Sequence, residues 1–217
     1  MKPTILGVIP ARGNSKRLPR KNILPVAGKP LIAWTIEAAK RSKLMDTFII
    51  STEDTGIKKI SEHYGAKVLD RPKELAKDAS TTLEVLQHVL KQYPTDIIVL
   101  LQCTCPIRSK GLIDRCIRKF LASDADCLAT GRIINEGEWG TYNTNPGNYL
   151  NKTGKKGYFH DDGNIYVFKS KIIHKNMLYT KNNLRIVSSR EESIDINDGF
   201  DIWVAGQILK ERMQNEK

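Results

Sequence analysis

Between Arg12 and Lys21 the chain places five cations, Arg12, Lys16, Arg17, Arg20 and Lys21, with no acid among them. Gly13, Asn14 and Ser15 lie inside this run and let the backbone turn its N–H groups toward a bound anion, while the cations supply charge. The chemistry open to such a loop is the holding of a phosphate-rich ligand. Connections in compact α/β units usually span about 2–6 residues, so a longer basic one reads as functional, the alternative being a solvated basic loop. Neither G-x-G-x-x-G nor G-x-x-x-x-G-K-[ST] is present here, which excludes the two commonest nucleotide-binding loops.

Three further stretches carry polar residues suited to a site. Arg71, Asp78, Ser80, Thr81 and Thr82 lie in one polar loop, which ends in a capping-box pattern, Thr81-x-x-Glu84. Gln102, Thr104 and Arg108 follow the most apolar run of the chain, interleaved with Cys103 and Cys105. Those two cysteines read better as small buried hydrophobes than as catalytic thiols. Near the end, Asp195 and Asn197 are two apart on an extended segment and so share a face. Asp201 reads as an acid at a helix start.

The elements that must position these residues alternate. Ile5–Ile9 is a short apolar run typical of a buried strand, and Pro30 suits the first turn of the following helix. Phe48–Thr52 reads as a strand, Glu53–Asp54–Thr55 as a helix start with well-placed acids, Gly65 as its stop, and Ala66–Leu69 as a third strand. Asp96–Leu101 should be the central strand, delivering Gln102–Arg108 to the carboxyl edge of the sheet, where open α/β sheets bind ligands. Ser109 is expected to cap a helix whose stripes Leu112, Cys116, Phe120 and Ile113, Ile117, Leu121 are core. Strands are also expected at Ala125–Thr130 and Leu184–Val187, then a closing helix with Phe200, Val204 and Ile208 inward. Alternation of this kind makes a mainly parallel sheet the default.

At 217 residues with a net charge of +11, a single α/β domain with anionic partners is expected. The Lys and Arg residues outside the first loop are scattered and no nucleic-acid module is recognisable, which argues against nucleic acid. No apolar run reaches the length of a membrane span, and there is no signal-peptide-like apolar stretch at the start. Four cysteines, Cys103, Cys105, Cys116 and Cys127, make neither a disulfide framework nor a zinc pattern, so a cytoplasmic location is expected.

The motifs together resemble the acylneuraminate cytidylyltransferases, which make CMP-activated sialic acids and related nonulosonates. The first loop is similar to the family's P-A-R-x-x-S-K-x-L-x-x-K-N run, with Arg12, Ser15, Lys16, Lys21 and Asn22 in register. Arg71–Thr82 resembles the segment that holds the cytosine base, and Gln102–Arg108 the family's Q-P-T-S-P-x-R. Tyr158–Phe168 resembles its F-R-P-N-G-x-I-Y, with His160 in place of the arginine and Asp161 and Asp162 in place of Pro-Asn. Ser193–Asp201 resembles its S-I-D-I-D-x-x-x-D, with Asn197 at the second metal-ligand position.

The resemblance implies a Rossmann-like three-layer α/β/α sandwich with a mixed, mainly parallel sheet, of the nucleotide-diphospho-sugar transferase type. It implies a single domain over 1–217, with about 131–157 an excursion that forms a subunit contact through Trp139, Tyr142 and Tyr149. CTP would be bound by Arg12, Gly13, Asn14, Ser15, Asn22, Arg71, Asp78, Ser80, Thr81 and Thr82. Arg12, Lys16, Lys21 and Asp195 would be catalytic. A small acidic sugar would meet Gln102, Thr104, Arg108 and His160, and Mg2+ would sit on Asp195 and Asn197. A homodimer is implied. Two other readings use the same residues: a cytidylyltransferase with another acceptor, such as a different acidic sugar or a phosphonate, and a non-catalytic nucleotide-binding protein.

Overall fold

Strand β1 (Ile5–Pro10) alternates its side chains across the sheet: Ile5 and Ile9 enter one apolar layer, Leu6 and Val8 the other. A strand buried on both faces needs helices on both, and the chain supplies them. The computed structural model describes residues 2–134 and 158–215. After β1 and its long loop comes a two-stranded ribbon, β2 (Pro25–Val26) and β3 (Lys29–Pro30), and then α1 (Leu31–Arg41). There follow β4 (Thr47–Thr52), α2 (Thr55–His63), β5 (Lys67–Asp70), α3 (Thr82–Gln92), β6 (Ile97–Leu101) and α4 (Leu112–Leu121). The later elements are β7 (Cys127–Ile134), β8 (Tyr158–Lys169), α5 (Ser170–His174), β9 (Asn183–Val187) and α6 (Gly199–Asn215).

Among the described residues the main sheet has seven strands, in the order β5-β4-β1-β6-β8-β7-β9. Every neighbouring pair is parallel except β6 with β8 and β7 with β8, so β8 alone runs against the rest. The sheet is therefore mixed and mainly parallel, and β6, the fourth of seven, is central as expected. Residues of α1, α2 and α4 pack with Ile5, Ile9, Val99 and Leu101 on one face. On the other, α3 and α5 pack with Leu6, Val8, Ile98 and Leu100. A smaller apolar cluster joins Val26, Leu31, Ile107 and Ile196 to Ala205 and Leu209 of α6, so the last helix closes over the ribbon and the loop beyond β6.

Several local expectations need correction. Pro30 ends β3 with extended backbone, and α1 begins one residue later. Ser109 does not cap α4: Gly111, with φ +77°, precedes that helix, and Ser109 contributes only its carbonyl, to the Leu112 N–H. Leu121 is exposed at the end of its stripe, and Phe200 is 69% exposed on α6, where Ala205, Gly206 and Leu209 face inward instead. β7 continues through Gly131–Ile134, paired with Tyr158–Asp161, so these four residues belong to the sheet. The expected excursion with its aromatics Trp139, Tyr142 and Tyr149 otherwise lies outside the described residues.

One buried carboxylate ties α1 to α4. Asp114 is 7% exposed and accepts from the Ser42 hydroxyl at 2.5 Å and from the Lys43 N–H at 3.0 Å, where α1 turns toward β4. Hydrogen bonds to a charged group contribute about 1.5–3 kcal/mol each way they are measured. Asp114→Ala should therefore lower unfolding free energy by about 2–3 kcal/mol, as read by urea denaturation; a loss under about 0.5 kcal/mol would show the tie to be dispensable.

Candidate active site

The chain leaves β1 toward β4 on one side and reaches β6 on the other, so a crevice opens at the carboxyl ends of these two strands. Three loops wall it: the one after β1, the one after β5 and the one after β6. They enclose a cleft of about 530 Å³, within the usual range for small-molecule sites. Among the described residues its lining includes Arg12, Lys16, Arg17, Lys21, Arg71 and Lys77, with Asp78 the one acid. Such a wall favours a polyanion.

The loop after β1 is held from beneath by acids just past the end of β4. The Gly13 N–H donates to Glu53 Oε1 at 2.7 Å, and Arg20 reaches Asp54 Oδ1 at 3.4 Å. A side chain on Gly13 would bring its Cβ within 2.5 Å of Asp54 Oδ2, so only glycine can lie this close. This corrects two expectations. The Gly13 N–H is turned to protein rather than to ligand, and Glu53 is not a helix-start acid; Asp54 alone caps α2, accepting from the Ile57 N–H. Asn14 is exposed, and Ser15 lines the cleft. Lys21 lies in the cleft wall and its Nζ donates to the Ile196 carbonyl at 2.6 Å, which links the loop to the segment holding Asp195.

Asn22 is buried, with both ends of its amide engaged: Nδ2 donates to the Arg12 carbonyl at 2.9 Å, and Oδ1 accepts from Cys103 Sγ at 2.9 Å. It braces the loop as well as lining the cleft. Burial pushes the Cys103 thiol up to about 11 and the Cys105 thiol higher still, so neither is a thiolate at neutral pH. All four cysteines are free and buried. The reading of Cys103 and Cys105 as small hydrophobes agrees with this placement.

The loop after β5 behaves differently residue by residue. Asp78 sits on the cations of the first loop, 2.7 Å from Lys16 Nζ and 3.1 Å from Arg12 Nη1. Lys16 first, and Arg12 after it, hold its carboxyl below the ordinary range. The Ser80 hydroxyl donates to the Glu74 carbonyl, and Thr81 forms the capping box with Glu84 that its spacing foretold. Thr82 opens α3 at the cleft. Arg71 is nearly fully buried, its Nη2 pairs with Glu53 Oε2 at 2.7 Å, and its Nε is buried without a partner among the described residues.

On the far wall Gln102, Cys103 and Thr104 line the cleft. Arg108 does not. Its guanidinium is buried and donates to Thr35 Oγ1 and to the Gln102 and Asn164 carbonyls at 2.6–3.1 Å, tying α1, β6 and β8 together. Burial lowers its pKa to about 10, still cationic at neutral pH. His160 is exposed on β8, in register with Arg132 of β7, and is absent from the described lining. Asp162 is buried and accepts from Thr130 Oγ1, Ser193 Oγ and the Asn164 N–H, while Asp161 accepts from the Tyr166 hydroxyl and the Gly163 N–H. These two acids serve the fold.

Asp195 is partly buried and has no ion-pair partner among the described residues. Asn197 turns its Nδ2 toward Asp195 Oδ2 at 2.8 Å, so it orients the carboxylate rather than offering an oxygen beside it. Asp201 accepts from the Asn197 and Asp198 N–H groups, while Asp198 accepts from the Phe200 and Asp201 N–H groups; the two form a reciprocal cap on α6. No cluster of three or more His, Cys, Asp or Glu suited to a metal occurs among the described residues. The functional residue that sequence reasoning missed is Glu53. Its only signal there was position, as an acid just beyond a strand that neighbours β1.

An anion-receiving cleft at the switch point of a mixed, mainly parallel sheet stands where open α/β sheets bind their ligands. Two solved structures share the fold: a CMP:2-keto-3-deoxy-manno-octonic acid synthetase complexed with CTP (TM-score 0.73, 15% identity, 99% of this chain and 100% of that one) and a 4-diphosphocytidyl-2C-methyl-D-erythritol synthase (TM-score 0.73, 13% identity, 96% and 100%). Residues 6–205 match the sequence profile described as cytidylyltransferase. The chain is 31% identical to the CMP-N,N'-diacetyllegionaminic acid synthase of Legionella pneumophila, over 97% of each protein. It is 30% identical to a pseudaminic acid cytidylyltransferase of Campylobacter jejuni, over 94% of this chain and 96% of that protein. It is also 30% identical to the N-acylneuraminate cytidylyltransferase of Escherichia coli, where it covers 98% of itself but 54% of the relative's length. The chain belongs to the cytidylyltransferase family, in the group of acylneuraminate and other nonulosonate enzymes.

Two outcomes follow from the placement of the buried groups. An aromatic disulfide reagent at pH 8 should label no thiol of the native protein and all four after unfolding; rapid native labelling of Cys103 would contradict its raised pKa. Arg108→Met should cost about 1.5–3 kcal/mol of stability by leaving carbonyls unpaired, while acceptor KM changes less than about threefold. A large KM rise at unchanged stability would return Arg108 to the substrate side.

Proposed function

We propose that this chain activates a nonulosonic acid as its CMP derivative. A hydroxyl oxygen of the acceptor bonds to the α-phosphorus of CTP, the bond from that phosphorus to the bridging oxygen breaks, pyrophosphate leaves, and the hydroxyl proton passes to solvent. The observation that carries this reading is the cleft itself, where six lining cations converge at the ends of β1 and β6. In-line displacement of this kind needs charge neutralisation and positioning more than covalent chemistry.

In this reading Arg12, Lys16 and Lys21 hold the triphosphate, which replaces the single carboxylate of Asp78 against the first two. Arg71, with its unpartnered Nε, and Thr82 face the nucleoside; Ser80 and Thr81 shape the loop that carries them. Gln102 and Thr104 meet the acceptor. Asp195 offers magnesium one carboxylate, and magnesium commonly takes one or two protein carboxylates together with substrate phosphates. Asp195 would hold the ion, with Asn197 orienting the carboxylate, and when bound the ion would neutralise charge on the phosphate oxygens. Arg108 is confined to the interior, so the acceptor wall carries no cation among the described residues, and a cytidylyltransferase with a different acceptor is the second reading. We also place the protein in the cytoplasm as a homodimer of single-domain chains; the exposed Phe200–Trp203 stack on α6 supports a subunit contact.

The test is pyrophosphate release with CTP, magnesium and a panel of nonulosonic and other sugar acids. CTP should be preferred over UTP and ATP by a factor of up to roughly 10⁴, because a buried polar site rejects a base that leaves its groups unpaired. Comparable turnover with UTP would remove the base-reading role of the loop after β5. Asp195→Ala should lower kcat at least about a hundredfold with the fold intact by circular dichroism. Asn197→Asp should keep activity and lower the magnesium concentration for half-maximal rate. Near-full activity of Asp195→Ala would place the metal elsewhere.

A further inference from the structure

Glu53 touches two walls of the cleft at once. Its Oε1 accepts from the Gly13 N–H at 2.7 Å, and its Oε2 accepts from Arg71 Nη2 at 2.7 Å. Both interactions are sheltered, the Glu53 side chain being 14% exposed and that of Arg71 4%. The backbone reinforces the join, since the Arg71 N–H donates to the Thr52 carbonyl and the Ala11 N–H to the Ser51 carbonyl. Gly13 is seated so closely on Asp54 that an added Cβ would come within 2.5 Å of its Oδ2. With Nη2 hydrogen-bonded to Glu53, the Arg71 guanidinium is oriented from one side, and its buried Nε has no acceptor among the described residues.

We propose that Glu53 is a positioning residue that sets the phosphate-holding loop and the nucleoside-facing Arg71 in register with each other, so that one carboxylate governs both halves of the nucleotide site. This rests on the reading of the cleft as a CTP site. A carboxylate can accept at both oxygens, whereas the amide of Gln can accept at one end only, so Glu53→Gln must surrender one partner while keeping size and shape. A buried donor left without its acceptor is costly, and the loop or the arginine will shift to recover it. The effect should therefore reach ligands that use either half.

The experiment is calorimetric binding of CTP, CMP and inorganic pyrophosphate to the full chain and three variants, with melting temperature as a check on folding. Glu53→Gln should weaken all three ligands by about tenfold or more. Arg71→Met should weaken CMP and CTP but leave pyrophosphate within about threefold, and Gly13→Ala should weaken pyrophosphate and CTP more than CMP. A strut that merely supported Arg71 would make Glu53→Gln behave like Arg71→Met; unchanged pyrophosphate binding in Glu53→Gln overturns the proposal. If Glu53→Gln does not fold, Gly13→Ala, which lifts the same N–H off the carboxylate, must weaken pyrophosphate about tenfold, and its failure to do so has the same force. A wild-type chain that binds neither CTP nor pyrophosphate would instead sink the nucleotide reading itself.

Discussion

The pairing of β1 with β6 is the constraint on which the site depends. Both strands are buried on both faces, so they can exist only at the centre of a sheet covered by helices. Because the chain departs from β1 toward β4 and comes back to form β6 on the opposite side, the loops after these two strands diverge and leave a crevice between them. The apolar pair thus determines where the polar chemistry can stand. Their parallel ladder, with Ile5 opposite Ile97 and Val8 opposite Leu100, fixes the height at which the two loops begin.

Charge is then distributed by depth. The cations of the cleft are at its mouth or wall, where water and a polyanion can reach them, and Asp78 partly balances them from the facing loop. Exposed pairs of that kind are weak and easily exchanged for a ligand's charge. Beneath them lies a pair of another kind, Glu53 with Arg71, sheltered from water at the β4 side of the loop. The outer cations can respond to a ligand while this inner pair stays in place.

Behind the acceptor wall, polar residues that look substrate-facing in one dimension are committed to the interior. Arg108, Asp162 and Asn164 form a connected set of hydrogen bonds joining α1, β6, β7, β8 and the turn before α6. β8, the one strand that runs against its neighbours, passes through this set. Buried polar groups must find partners, and a mixed sheet with a reversed strand brings carbonyls and hydroxyls together to satisfy most of this set, Arg108 Nε and Asn164 Oδ1 excepted among the described residues. The energetic role of these residues is to hold the cleft's rear wall in place.

By itself the sequence determined the family, the alternation of strands and helices, the central strand, the capping box at Thr81 and the loop that gathers the cations. These are local matters of periodicity, turn chemistry and composition, readable within a dozen residues. It also identified the buried character of Cys103 and Cys105. Tertiary structure decided which polar side chains face the cleft and which face protein, because that depends on partners far away in the chain. Gly13 meets Glu53 across 40 positions, Asn22 meets Cys103 across 81 and Arg108 meets Asn164 across 56. No spacing rule spans such separations, so Arg108 looked like a ligand for a carboxylate and Glu53 like a helix-start acid. The fold reversed both roles by bringing the end of β4 beneath the first loop and β8 alongside β6.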